Sequence, residues 1–437
     1  MIETIWYVGG ILFIALGIGF SIGLHELGHM LPAKRFGVKV PTYAIGFGPT
    51  IFKFKRGETT YAIKLIPLGG YISMIGMYPP AKREGKARRG FFADMIKQAR
   101  VAHAEHITSA DANRKFYQLP VGKRLIIMFG GPFMNLVLGV LLMFTVFSGL
   151  GTMQIGTTVA EVTTCIIADP TKQTECSSSD VASPASVAGI KTGDKLLAID
   201  GKPINQWQQI GDSLTAGQVA NLEMLRDGNK INVSATPVSA SRVKLDAAGN
   251  PVLDSAGEPV MQPRAVLGLI FANERKQLPL SDSLQKSAVA LGQVGQMIVT
   301  LPKQLMDVAA STFADQPRNP NGAVSVVGVA QISGEVAAAD SVDIVEKLST
   351  GLLILASLNF ALFGFNMLPL LPLDGGHIAG GIYEATKRKI FKLFKKPDPG
   401  PADTALLMPA TWFVFVLLMA MSALLILADV INPITIG

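Results

Sequence analysis

The sequence predicts an α-helical polytopic membrane protein with four transmembrane helices, a membrane-associated β-region and one extracytoplasmic β domain. Composition is the first reason, because the mean hydropathy is +0.38 and only 16% of the 437 residues are charged. Pattern is the second, because four apolar stretches approach or exceed the roughly 20 residues that span a bilayer. The predicted spans are residues 1–30, 124–150, 350–374 and 406–430.

The charge of the connecting segments predicts the topology. Residues 31–124 hold 18 Lys and Arg against 5 Asp and Glu, residues 375–405 hold 6 against 3, and residues 150–349 hold 15 against 20. Basic loops beside transmembrane helices stay in the cytoplasm, so we expect both termini and the 150–349 segment to lie outside. Lipid headgroups explain the basic loops, so we expect contact with the bilayer and no nucleic acid.

The domain boundaries follow from these spans. Residues 31–123 form a cytoplasmic or membrane-associated β-region with a basic linker, and residues 375–405 form a basic cytoplasmic loop. Outside, we expect a β domain at 151–275 and an amphipathic segment at 276–349. The first span could be read as a signal peptide, but its start carries no basic residue, so we expect it to remain as a helix.

A metal-binding motif ends the first apolar stretch. His25 and His29 lie four residues apart, so on a helix they share one face, and Glu26 lies between them in the pattern H-E-x-x-H. Two imidazoles in this arrangement can bind Zn²⁺, and the glutamate can act as general base on a metal-bound water. Because Lys34 marks the inner end of this helix, the metal would lie about 13 Å from it, nearer the cytoplasmic face.

A hydrolytic zinc site keeps three protein ligands and one open position. Asp374 is the candidate third ligand, because it is the only carboxylate in or beside the third span and reaches the same predicted depth as the two histidines. Pro369 and Pro372 interrupt the helix before it. Broken backbone at membrane depth is tolerated where it is buried in protein or lines a wet cavity, as a metal site does.

These residues resemble the site-2 protease family of zinc intramembrane proteases. The likeness rests on His25-Glu26-x-x-His29 and on Asn366-x-x-Pro369 leading to Asp374-Gly375, and it extends over nearly the whole chain. The layout is similar to bacterial regulator-of-sigma-E proteases of the actinobacterial type with a single PDZ module. Pro369 and Pro372 lie three residues apart, whereas the family element usually has its prolines two apart.

The resemblance implies a role for each matched residue. His25, His29 and Asp374 would bind Zn²⁺, and Glu26 would activate water. Asn359 and Asn366 would hold the unwound substrate, because an amide side chain can both donate and accept hydrogen bonds. A hydrogen bond between helices is the structural alternative for either asparagine.

Two connecting regions also carry predictions. Residues 40–75 alternate like strands around a turn at Lys55-Arg56-Gly57-Glu58, which predicts a hairpin that could receive substrate by strand addition. The outside segment resembles a PDZ module, which would either bind a peptide or act as a size filter. Cys165 and Cys176 both fall there, and either a disulfide or two separate thiols fits the sequence.

The main hypothesis is a zinc endopeptidase of the bacterial cytoplasmic membrane that cleaves single-pass membrane proteins within the bilayer. The resemblance implies anti-sigma factors and remnant signal peptides as substrates. A non-catalytic adaptor with a structural metal site is the alternative, and it would need a fourth ligand such as His377. A metal transporter is the third hypothesis, but it would require further acidic or His residues along the spans, which the sequence lacks.

Overall fold

The computed structural model describes residues 2–80, 90–104, 108–168, 175–177, 180–204, 206–244, 252, 254, 258–314, 316–319 and 322–434. The chain forms two compact units. One unit combines Met1–Leu150 with Gln277–Gly437, and the other is Gly151–Lys276.

The first unit begins with a long helix, a hairpin and a second long helix. The elements are α1 (Ile2–Arg35), β1 (Thr42–Arg56), β2 (Thr59–Ser73), α2 (Phe91–Ala104) and α3 (Val121–Phe144), which a π-helical turn extends through Thr145–Leu150. Basic residues occupy the last turn of α1, where they complement the negative end of the helix dipole. Buried side chains from α1, from the residues flanking the hairpin, from the short turn before α3 and from α3 itself form one core: Met30, Ala33, Val38, Val40, Met74, Phe116, Ile127 and Met128.

The hairpin confirms the predicted turn, since β1 and β2 pair antiparallel around Gly57. Its register is more complex than that of a two-stranded ribbon, because one part of β1 pairs with two parts of β2. Tyr43 of β1 pairs with both Tyr61 and Ile72 of β2, so the start of β1 lies between the two ends of β2. The last residues of β2 therefore form an outer edge, and Gly70 on that edge faces Glu26 of α1.

The second unit is a small antiparallel β domain. Its strands are β3 (Thr152–Val162), β4 (Cys165–Ile166), β5 (Val181–Ala182), β6 (Lys195–Ile199), β7 (Lys202–Pro203), β8 (Ala220–Arg226), β9 (Asn229–Ala235), β10 (Val238–Val243), β11 (Met261–Val266) and β12 (Leu269–Lys276), with short helices α4 (Pro184–Val187) and α5 (Gln208–Ser213). The main sheet has the order β12-β3-β6-β8-β9, with β7 beside β6. Its core includes Leu196, Leu222 and Met224, which are fully buried.

A tight turn at Asp227-Gly228 joins β8 and β9 into an antiparallel hairpin. One prediction for this unit can be compared with the structure. Cys165 and Cys176 form a disulfide, which decides between the two alternatives that fit the sequence.

The first unit resumes with five helices: α6 (Leu280–Phe313), α7 (Val326–Ala338), α8 (Ile344–Asn366), α9 (Asp374–Leu393) and α10 (Met408–Ile431). Among the described residues, four helical segments are long and apolar enough to cross a membrane, as the sequence predicts. They are Ile2–Arg35, Val121–Leu150, Ile344–Asn366 and Thr404–Ile431.

The third span differs from its predicted bounds. It was expected to run through residue 374, but α8 ends at Asn366, and Asp374 is instead the first residue of α9. Prolines at 369 and 372 supply no backbone N–H and cannot continue a helix. The predicted loop at 375–405 is therefore wrong in its first half, which is helical. The high charge there pointed to a loop, but five of the nine charged residues lie on an amphipathic helix.

Candidate metal centre

Three side chains from two helices converge at one point. Nε2 of His25 and Nε2 of His29 lie 3.2 Å apart, and they lie 3.2 Å and 3.3 Å, respectively, from Oδ2 of Asp374. The histidines are held on one face of α1, as their spacing predicts. Asp374 reaches them because the chain turns sharply after α8 and α9 begins at this residue.

Each imidazole is held by its other nitrogen. Nδ1 of His29 lies 2.7 Å from the carbonyl oxygen of Ile127, and Nδ1 of His25 lies 2.5 Å from Oδ1 of Asn135. Both partners are acceptors, so each Nδ1 carries the hydrogen and donates it. The Nε2 lone pairs consequently point toward Asp374, which is the arrangement that metal-binding histidines use.

The donor atoms fit a zinc ion. Ligand atoms at about 2.0–2.1 Å around a tetrahedral zinc lie about 3.3 Å from one another, close to the distances between these three. Oδ2 of Asp374 is buried and has no hydrogen-bond partner among the described residues, as expected of an atom that binds a cation. Within the described parts of the chain, His25, His29 and Asp374 are the only cluster of this kind.

Glycines allow the helices to approach closely here. A Cβ atom added at Gly28 would lie 2.2 Å from the carbonyl oxygen of Gly130, so α1 and α3 meet backbone to backbone. A Cβ atom at Gly131 would lie 2.2 Å from Nε2 of His29, and one at Gly375 would lie 2.2 Å from the carbonyl oxygen of Leu368. Small residues at a helix interface are typical of packing within membranes.

Comparisons with known proteins agree with this geometry. The sequence model of peptidase family M50 matches residues 13–397, which run from α1 into the residues after α9. The chain belongs to this family. It is a zinc metalloprotease of the site-2 type, and two imidazoles with one carboxylate form a donor set of the kind that can bind Zn²⁺.

Named relatives cover most of the chain. It is 29% identical over 437 residues to zinc metalloprotease Rip1 of Mycobacterium tuberculosis, with 98% of both chains covered. It is 27% identical to zinc metalloprotease RasP of Geobacillus kaustophilus, with 89% of this chain and 92% of the relative covered. Metalloprotease MmpA of Caulobacter vibrioides is also 27% identical, with 84% of each chain covered.

Glu26 of this M50 peptidase lies close to the three donors. It follows His25 directly on α1 and is buried, with 8% of its surface exposed. Its side chain packs against Gly70 on the outer edge of the hairpin, where an added Cβ atom would lie 3.1 Å from Cγ of Glu26. Glu26 therefore lies against a strand edge and directly follows one of the three donors on α1.

The two predicted asparagines have different positions. Asn366 is half-buried at the C-terminal end of α8. The side chain of Asn359 is fully buried, and its predicted contact with substrate stays a prediction. Its Nδ2 donates to Oγ of Ser21 at 2.9 Å and to the carbonyl oxygen of Leu355 at 2.8 Å. The alternative for this residue, a hydrogen bond between helices, is what the structure has.

Asn135 is the functional residue that sequence reasoning missed. Its Oδ1 accepts from His25, and its Nδ2 donates to Oδ1 of Asn359 at 2.9 Å. Asn359 is thus connected to the metal centre through Asn135, and Ser21 extends the same chain of hydrogen bonds. The available signal was an amide side chain in the middle of an apolar span, which is costly in a membrane unless it has a partner.

Proposed function

We propose that this M50 peptidase is an intramembrane endopeptidase that cleaves transmembrane segments of single-pass membrane proteins. One observation carries the proposal. A three-ligand metal centre and an adjacent buried carboxylate lie among helices that are long and apolar enough to span a bilayer. A soluble protease has no need to bury its chemistry between such helices.

Each residue has a role in the reaction. When bound, the zinc supplies a Lewis acid and lowers the pKa of a bound water. His25, His29 and Asp374 would hold the metal, and three protein ligands are the number that a hydrolytic site uses. Glu26 takes a proton from the attacking water and returns it to the leaving amide nitrogen.

The hairpin provides a place for the substrate. A transmembrane helix has every backbone group bonded internally, so the scissile carbonyl becomes accessible only after local unwinding. The outer edge of β2 at residues 70–73 offers strand pairing to the unwound segment, beside Glu26. We assign Asn366 to the same task, because its amide can satisfy released backbone groups.

We assign the protein to the bacterial cytoplasmic membrane, with the metal toward the cytoplasmic side. Lys34 and Arg35 in the last turn of α1 support this orientation. The Cys165–Cys176 disulfide supports an outside position for Gly151–Lys276, because disulfides persist in oxidising compartments. The substrates are anti-sigma factors already trimmed outside and remnant signal peptides, by the family resemblance.

The outside unit is assigned a PDZ-like role. A cavity of about 790 Å³ lies beside α5 and β12, and β12 is an edge strand of the main sheet. Trp207, Leu214 and Ile270 are among the residues that line it. A peptide could add to this edge as a further strand. The cavity would also suit the adaptor hypothesis, but a structural metal site needs four ligands, and the described residues supply three.

The test compares wild type with Glu26→Gln on a single-pass reporter in proteoliposomes, with bound zinc quantified in both. We expect the variant to keep its zinc and to lose cleavage by about 10²–10⁴-fold, the usual contribution of a general base. His29→Ala is the matched variant that should lose the zinc itself. If the Gln variant cleaves at the wild-type rate with zinc bound, the base assignment is wrong. If wild type with zinc cleaves no single-pass substrate, the adaptor hypothesis replaces this one.

A further inference from the structure

Helix α9 connects the metal centre to a surface outside the helix bundle. It begins with the ligand Asp374 and runs for 20 residues. One side packs against the bundle, since a Cβ atom at Gly381 would lie 2.9 Å from Cδ2 of Leu125 on α3. On the same side, buried Glu384 accepts from Nη2 of Arg124 at 2.6 Å and from the backbone N–H of Ala402 at 2.9 Å.

These contacts place the middle of α9 at the level of the membrane surface. Arg124 lies at the start of the span Val121–Leu150, and Ala402 lies just before the span Thr404–Ile431. Trp412, near the start of the latter span, packs edge-on against Phe91 at a ring distance of 5.9 Å. Tryptophan is enriched at the membrane–water interface. The second half of α9 therefore continues either along the surface or into water.

The opposite side of α9 is apolar and exposed. Five large residues lie within about 120° of one another around the helix, at 100° per residue, and their exposed fractions range from 48% to 78%: Ile382, Tyr383, Ile390, Leu393 and Phe394. A helix that projected into water would have no reason to carry this stripe along its whole second half. A helix lying in the membrane interface would bury it.

Cationic side chains flank the stripe. Nζ of Lys387 lies 5.7 Å from the ring centre of Tyr383, and Nζ of Lys396 lies 6.0 Å from that of Phe391. Within the described parts of the chain, no carboxylate lies in ion-pair distance of Lys389 or Lys392. Both acidic residues of α9, Asp374 and Glu384, face inward. Arg388 pairs with Glu384 and, at 3.4 Å, with exposed Asp398, so the positive charge beside the stripe comes from lysines such as Lys389 and Lys392.

We propose that the second half of α9 lies on the bilayer, binds anionic lipid headgroups, and thereby holds Asp374 in the metal site. Charge complementarity selects anionic lipid, because basic residues beside an apolar stripe bind it electrostatically. The regulatory part rests on the proposed protease function. The lipid contact itself does not.

The coupling follows from the stiffness of the helix. Lys392 lies eight residues after Glu384, about 12 Å along the axis, and Asp374 lies ten residues before it, about 15 Å. A tilt about the Glu384 contact that moves Lys392 by 1 Å would therefore move Asp374 by about 1.25 Å. Misplacement by about 1 Å can cost an enzyme on the order of 100-fold in rate.

The first experiment locates α9 in a membrane. Cys165 and Cys176 are bonded to each other, so a cysteine introduced at Leu393 or at Lys392 is the thiol that a nitroxide label modifies. In nanodiscs with phosphatidylglycerol, we expect the Leu393 label to be accessible to oxygen and the Lys392 label to a water-soluble nickel chelate. If both labels are accessible to the nickel chelate, α9 projects into water and the proposal is wrong. If the Leu393 label is shielded from both reagents, a protein partner covers the stripe and the proposal is also wrong.

The second experiment tests regulation with a charge-matched control. Lys389, Lys392 and Lys396 are changed together to Gln, and the control changes Lys191, Lys195 and Lys202, which are exposed residues of the other unit, to Gln. At about fivefold per lysine, the α9 variant should bind anionic lipid on the order of 100-fold more weakly. Wild type and control should cleave at least tenfold faster in phosphatidylglycerol than in phosphatidylcholine, and the α9 variant less than twofold faster.

The outcomes separate the two proposals. Equal wild-type cleavage in both lipids, with the Leu393 label immersed, would overturn the regulation. Equal responses of the α9 variant and its control would overturn the role of these lysines. If no lipid supports cleavage while the label is immersed, the protease function fails and the lipid contact stands.

Discussion

Replacing Asn135 with Ala should weaken zinc binding without touching a ligand. Asn135 holds His25 through a 2.5 Å contact between Oδ1 and Nδ1, and this contact fixes which ring nitrogen faces the metal. Loss of such a supporting residue typically costs about 10–100-fold in metal affinity, or about 1.4–2.7 kcal/mol. We expect the zinc dissociation constant to rise by that factor, measured by competition with a fluorescent chelator in detergent.

The same change has a second, separable effect. Asn135 also donates to Oδ1 of Asn359, which is fully buried. An unsatisfied buried acceptor costs about 1–3 kcal/mol, so Asn135→Ala should also lower the free energy of unfolding. Asn359→Ala serves as the control, because it removes the hydrogen bond between Asn135 and Asn359 but leaves the one between Asn135 and His25 intact.

The two variants together decide the argument. Both should be destabilised to a similar extent in thermal unfolding, but only Asn135→Ala should lose zinc affinity by tenfold or more. If the two variants lose zinc equally, the effect is general loosening of the bundle. If Asn135→Ala binds zinc as wild type does, His25 does not depend on this hydrogen bond and the reasoning is refuted.

Two further predictions concern packing and charge. Gly131→Ala should be purified without stoichiometric zinc, because the added Cβ atom would lie 2.2 Å from Nε2 of His29. Gly19→Ala is the control and should keep its zinc, because no atom lies within 4 Å of the added Cβ. Stoichiometric zinc in Gly131→Ala would contradict the close packing. In the outside unit, hydrogen bonds from Arg226 hold the pKa of Asp194 below its usual range. Arg226→Met should therefore speed amide exchange near Asp194 at pH 7, where the carboxylate is charged. The difference in exchange rate between Arg226→Met and wild type should fade as the pH falls below about 4 and through the lowered pKa of Asp194. A difference of the same size at low pH would show that the ion pair is not its cause.

Membership of the M50 family agrees with the proposed ligand set, but it does not say how each ligand is held. His29 is held by a backbone carbonyl of α3, and His25 by a side chain of the same helix. Asp374 depends on neither, since it arrives on a separate helix. The three ligands therefore respond to different perturbations, which is why changes at residues 135, 131 and 389–396 should have distinct signatures.

The sequence alone determined the features that local spacing controls. Four apolar stretches of sufficient length predicted the spans, because a bilayer fixes the length of a helix that crosses it. The i, i+4 spacing placed His25 and His29 on one face, and alternation around Gly57 predicted the hairpin. Asp374 could be named as the third ligand because it was the only carboxylate near the third span.

Tertiary structure decided what depends on contacts between distant residues. The resemblance implied a substrate contact for Asn359, and only helix packing showed that its side chain also bonds to Asn135, 224 positions away in the sequence. The 375–405 segment looked like a loop because charge dominates its composition, yet packing of Gly381 and Glu384 on α3 makes its first half a helix. Spacing shows which face of a helix a residue occupies, but only the assembled bundle shows what that face meets.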